Sequence, residues 1–118
     1  MSQKMLHVNG HLVIPVEGFE REVNAESAQP YLSVPGLLWK IGYVNRETKE
    51  AGGIYLFKDL ESLQAFVDGP IGSELPKAPI WTDVTVKTLD ILVDFSKVLR
   101  APIGEEFELD SHTLRNFD

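Results

Sequence analysis

Apolar and polar positions change rhythm several times along the chain. Residues 5–14 are dense in Leu, Val and Ile, and Pro15 ends the run, so a strand is predicted there. Asn9-Gly10 is a strong hairpin dipeptide, but a hairpin here would have very short arms. One long strand with a bulge at Gly10 is expected instead. Residues 17–32 place Phe19 and Val23 on one helical face, with Tyr31 and Leu32 closing the stripe. A helix is predicted, kinked or ended by Pro30. Val34-Pro35-Gly36 then turns the chain.

Residues 37–45 and 50–58 are two β-rich runs separated by the polar loop Arg46-Glu47-Thr48-Lys49, which predicts an antiparallel pair. Asp59 is a natural N-cap, Leu60, Leu63, Phe66 and Val67 follow helical spacing, and Gly69-Pro70 stops the helix. Residues 69–80 hold three prolines and two glycines and read as a long irregular connection, suited to a mobile pocket rim. The last main strand is predicted over 82–95, with a bulge or bend where the apolar phase shifts between Val86 and Leu89. The order β-α-β-β-α-β is the α+β ferredoxin-like arrangement: a four-stranded antiparallel sheet with both helices on one face. The strands are apolar on both sides (Leu37, Trp39, Ile41 and Tyr43 against Leu38 and Val44), whereas a sheet wet on one face alternates more cleanly. The simplest cover is a second copy, giving a homodimeric α/β barrel.

Composition narrows this picture. At 118 residues the chain suits a single domain (1–118), with a core over about 5–95 and a C-terminal extension over about 96–118. Ile103, Phe107 and Leu109 in that extension could reach across to the partner. No apolar run approaches the roughly 18 residues that span a bilayer. There is no cysteine, and Met1-Ser2-Gln3-Lys4-Met5 lacks the pattern of a signal peptide. A cytoplasmic location is expected. A net charge of −7 repels phosphate backbones and anionic lipid, so neither nucleic acid nor membrane is an expected partner.

Two stretches carry a family resemblance: Pro35-Gly36-Leu37-Leu38-Trp39-Lys40, and Glu50-Ala51-Gly52-Gly53-Ile54-Tyr55-Leu56-Phe57 followed by Lys58-Asp59. Together they resemble the YdhR-like mono-oxygenases, a branch of the dimeric α/β-barrel superfamily. The likeness follows the element order over about 5–95 and is close at 35–66. It implies the fold and the dimer. By analogy it implies an oxygenase, since the superfamily includes cofactor-free oxygenases of aromatic polyketides and small haem-degrading proteins.

Several residues are candidates for chemistry. Trp39 and Tyr43 share a face of one strand. Tyr55, Phe57 and Gly53 share a face of the next. Aromatics around a glycine gap could clasp a flat ring, or they could simply fill the core. The resemblance favours a pocket between sheet and helices. Lys40, if buried, could bind a phenolic or anionic group; otherwise it is a surface lysine or pairs with Glu50. His11 is a candidate general base. His7 and His11 would lie about 13 Å apart on one strand face, too far to share a metal ion. His112 is expected to be solvated. No nucleotide or flavin motif is present, and no cofactor is expected. The reading is a cofactor-independent monooxygenase of a small planar aromatic or quinol-type substrate. A non-catalytic dimer binding a small apolar ligand, and a dimer whose pocket is filled by side chains, are the alternatives.

Overall fold

The computed structural model describes residues 2–104. Four strands, β1 (Lys4–Leu12), β2 (Leu37–Val44), β3 (Glu50–Phe57) and β4 (Trp81–Asp90), form one sheet in the order β2-β3-β1-β4. Every neighbouring pair is antiparallel. Helices α1 (Val16–Glu22) and α2 (Leu60–Asp68) cover one face of it, and α3 (Val93–Val98) follows β4. This is the expected ferredoxin-like topology.

Strand alternation sorts the side chains. Leu6, Val8 and Leu12 of β1 and Ala51, Tyr55 and Phe57 of β3 are buried with Val16, Leu63 and Phe66 in the core under the helices. Met5, His7, Asn9 and His11 point to the other face by the period of two. Asp59 caps α2 by accepting the Ser62 N–H at 2.8 Å. The β2–β3 hairpin is closed by Asn45, whose Oδ1 accepts the Glu47 and Thr48 N–H groups.

Several sequence expectations are corrected. The helix expected over 17–32 is only α1, followed by a turn and a 3-10 helix over Gln29–Ser33. Asn24 makes the break: its Oδ1 accepts the Glu26 and Ser27 N–H groups, and its Nδ2 donates to the Arg21 carbonyl. Such a side chain offers the backbone a turn in place of the next helical bonds. Pro30 starts the 3-10 helix instead of kinking a longer one.

The bulge expected at Gly10 lies opposite it. Asn9 pairs with Thr85 and His11 with Thr82, so the extra residue belongs to β4, where Asp83 takes a φ of 53°. A Cβ on Gly10 would fall 2.6 Å from the Trp81 ring, so the glycine is there to seat that indole. No bulge separates Val86 from Leu89: pairing is continuous from Lys4–Asp90 to Asn9–Thr85. The strand expected to run to residue 95 ends at Asp90. Leu92, Phe95 and Leu99 instead follow the three- and four-residue spacing of a helix. Ile103, expected to reach a partner, is buried on its own chain. There the Trp39 indole N–H donates to the Pro102 carbonyl at 2.8 Å, and Gln3 and Gly104 exchange two hydrogen bonds of 3.0 and 2.8 Å. Phe107, Leu109 and His112 lie outside the described residues. Among the described residues no helix is long and apolar enough to cross a membrane.

Candidate active site

A cavity of about 750 Å³ lies between the helix-covered face at β2–β3 and the segment that runs from α1 to the 3-10 helix. Phe19, Val23 and Ala28 wall it on one side, and Leu75, Ile80 and Trp81 close one end. The connection over 69–80, expected to be irregular, carries a 3-10 helix over Gly72–Lys77, and its Leu75, Ala78 and Ile80 line the cavity. The Trp81 indole fixes that end by donating to the Leu75 carbonyl at 2.8 Å. Glu20 of α1, one of the lining residues, accepts two hydrogen bonds, of 2.8 and 2.6 Å, from Arg46 of the hairpin loop.

The β2–β3 register decides which expected residues meet. Lys40 pairs with Tyr55, and Trp39 with Leu56. Lys40 and Tyr55 therefore share the cavity side. The Lys40 ammonium lies 3.8 Å from the centroid of the Tyr31 ring and 4.6 Å from that of Tyr55. Neither of the ion pairs among the described residues, Lys4–Asp90 and Arg46–Glu20, involves it, so the ring faces supply its stabilisation, worth roughly 0.5–2 kcal/mol each. Burial lowers its pKa from 10.5 to about 8. The expected pairing of Lys40 with Glu50 is not formed; Glu50 accepts from Asn9 and Thr48. Burial raises the pKa of Tyr55 above the usual phenol range, the field of Tyr31 adding to it. Burial also raises that of Tyr31.

The remaining expected residues are divided between the cavity edge, the core and the free face of the sheet. Phe57 is fully buried in an aromatic cluster with Tyr31, Tyr55 and Phe66, ring centroids 5.2–6.4 Å apart. It does not line the cavity. Trp39 and Tyr43 touch the cavity only from their strand, and their polar ends turn to the free face of the sheet. His11 is exposed on that same free face, opposite Glu50 and Thr82, because the odd positions of β1 all point away from the helices. Lys40, Tyr55, Trp39 and Tyr43 thus all border the cavity, the last two only in part, whereas His11 and Phe57 do not. Tyr31, expected only to close a helical apolar stripe, is a cavity residue that meets the Lys40 ammonium; its place beyond the Asn24 turn hid this. On the free face the Tyr43 hydroxyl donates to Asn9 Oδ1 at 2.6 Å and accepts from His7 Nε2 at 2.7 Å, and Asn9 donates on to Glu50 at 3.1 Å. No group of three or more His, Cys, Asp or Glu among the described residues could hold a metal ion.

A ferredoxin-like sheet with an aromatic cavity under its helices defines the class of protein. The chain belongs to the family described as "Putative mono-oxygenase ydhR", whose model matches residues 5–102. It is similar in structure to a protein of unknown function from Nitrosomonas europaea (TM-score 0.62, 17% identity, 79% of this chain and 92% of the other). It is also similar to the heme-degrader MhuD from Mycobacterium tuberculosis, solved with two hemes in its active site (TM-score 0.57, 16% identity, 76% and 97%). A third likeness is to a dimeric ferredoxin-like protein from an uncultured marine organism (TM-score 0.55, 14% identity, 78% and 90%). No curated protein matches significantly.

Proposed function

We propose that this protein is a cofactor-independent monooxygenase that oxidises a small planar phenol to a quinone, with Lys40 as the base. The observation that carries this is a lysine with a lowered pKa, held on two tyrosine rings in the wall of an apolar cavity. Ground-state O₂ reacts slowly with closed-shell molecules, but an electron-rich phenolate can pass it one electron directly. Neutral Lys40 takes the phenol proton, and the ammonium formed holds the phenolate. Electron transfer gives a ring radical and superoxide, which join as a C–O bond at the para carbon. The ammonium protonates the distal oxygen to a hydroperoxide. Loss of the para C–H proton and cleavage of the O–O bond then release water and leave a quinone. One phenol and one O₂ give one quinone and one water, so all four electrons come from the ring and no reductant is consumed. The cavity's part is to orient the ring and keep out bulk water.

A heme substrate is the weaker reading: among the described residues the cavity wall offers its iron tyrosines but no His, Cys or Met, and burial raises the pKa of both Tyr31 and Tyr55, which opposes the tyrosinate that would have to bind it. The test is O₂ uptake with 1-naphthol under ¹⁸O₂. One labelled oxygen per 1,4-naphthoquinone, lost in Lys40→Met, is the expected result. Binding without uptake, unchanged in that variant, identifies a non-catalytic binding protein instead.

In the proposed assembly a second copy of the chain covers the free face of the sheet. Ile41 is 55% exposed there in the single chain, beside Met5, Ile54 and Leu89, and Leu92, Phe95 and Val98 add exposed apolar surface on and beside α3. Surface of this kind marks an interaction site.

A further inference from the structure

Three cross-strand pairs of β2 and β3 lie on the cavity side of the sheet, Lys40 with Tyr55, Gly42 with Gly53, and Val44 with Ala51, and all of these but the buried Ala51 line the cavity. The outer pairs carry side chains and the middle pair carries none. Glycine inside a strand weakens it and most often marks a bulge or the close approach of another group. Three of the four strand glycines have such a neighbour within the chain. A Cβ on Gly10 would meet the Trp81 ring at 2.6 Å, one on Gly52 the Val8 carbonyl oxygen at 1.9 Å, and one on Gly53 the Lys40 Cε at 2.8 Å. Gly42 differs. A Cβ there would meet nothing nearer than the Gly52 carbonyl oxygen at 3.9 Å, an ordinary contact. Its φ is not positive and the pairing of Gly42 with Gly53 is regular. Neither packing nor backbone conformation calls for glycine at this position. The space it leaves open belongs to the cavity.

We infer that Gly42 is a specificity-determining residue: it is the floor of a slot in which a flat aromatic ring lies against the bare backbone of β2, its ionisable oxygen directed to Lys40. The inference rests on the proposed binding of a planar phenol in this cavity. The Lys40 stem, folded over Gly53, borders the slot on one side, and Val44 lies on the other. A flat ring can approach peptide planes closely, whereas a puckered ring of the same outline projects hydrogens toward the floor. A methyl at position 42 would do the same from the protein's side.

The experiment compares 2-naphthol with 5,6,7,8-tetrahydro-2-naphthol, two phenols of similar outline, one planar and one puckered. Binding is followed by calorimetry for the native protein, Gly42→Ala and Lys40→Met. The native protein should bind 2-naphthol several-fold more tightly than the puckered phenol. Gly42→Ala should melt no lower than the native protein, lose at least tenfold in 2-naphthol affinity, and lose less for the puckered phenol. Equal native affinity for the two phenols overturns the slot without need of any variant. So does unchanged 2-naphthol affinity in Gly42→Ala; if Lys40→Met still weakens both probes, the phenol-binding reading of the cavity survives. Binding of neither probe to the native protein overturns both.

Discussion

Lys40 carries a cost as well as a proposed role. Its ammonium is partly stripped of water and is met by ring faces instead of a carboxylate. Below pH 8 folded and unfolded chains both hold the proton, so the full cost of burying the charge falls on the folded state. Between about 8 and the ordinary 10.5 the folded lysine is neutral while the unfolded one still binds a proton, so native stability rises with pH through this window. Lys40→Met should therefore be more stable than the native protein at pH 7, by at most about 2 kcal/mol once the lost ring contacts are set against the relieved burial of charge. The gain should fade as pH approaches 10.5. Urea unfolding at pH 7, 9 and 10.5 measures this; a destabilised variant at pH 7 contradicts it. If neutral Lys40 is the base, turnover should rise with pH through about 8 in the native protein only.

At the scale of elements, much of the fold is legible in the sequence because hydrophobic periodicity sets it. The β2–β3 hairpin, the Asp59 cap and the Gly69 stop all lie where their residues predict. The register of that hairpin was also within reach. A loop over 46–49 sets Asn45 beside Glu50, which carries Lys40 to Tyr55 and Trp39 to Leu56. Grouping Trp39 and Tyr43 with Tyr55 overlooks this parity, and so does bringing His11 to the same pocket. The segment 16–33 was not legible, because one polar side chain, Asn24, outweighs a weak apolar stripe. Asn24→Ala removes three hydrogen bonds and should cost about 0.5–2 kcal/mol, as a lost helix cap does. Amide exchange should quicken over 16–33 and stay slow in β3. Uniform acceleration would mean that the turn is not a local hinge point.

For the molecule as a whole, the free face of the sheet is the surface with most left to do. Ile41→Glu places a charge where the single chain is already open to water, so the protomer should fold normally. In a dimer built on this face the same charge would be buried without a partner, costing several kcal/mol. Sedimentation should show the native protein as a dimer at micromolar concentration and the variant as a folded monomer. A native monomer at that concentration rules out the proposed assembly. The two hydrogen bonds between Gln3 and Gly104 have a separate consequence. They bring positions 101 residues apart in sequence to within a single linker's reach, so the described chain is nearly a closed ring. A ring can be opened anywhere its backbone is exposed. A circular permutant of residues 3–104 that joins 104 to 3 through a few glycines and begins at 91, between β4 and α3, should reach the same sheet order. Its circular dichroism and naphthol affinity would match those of the parent, because the pairing partners, and not the order in which they are synthesised, hold the architecture.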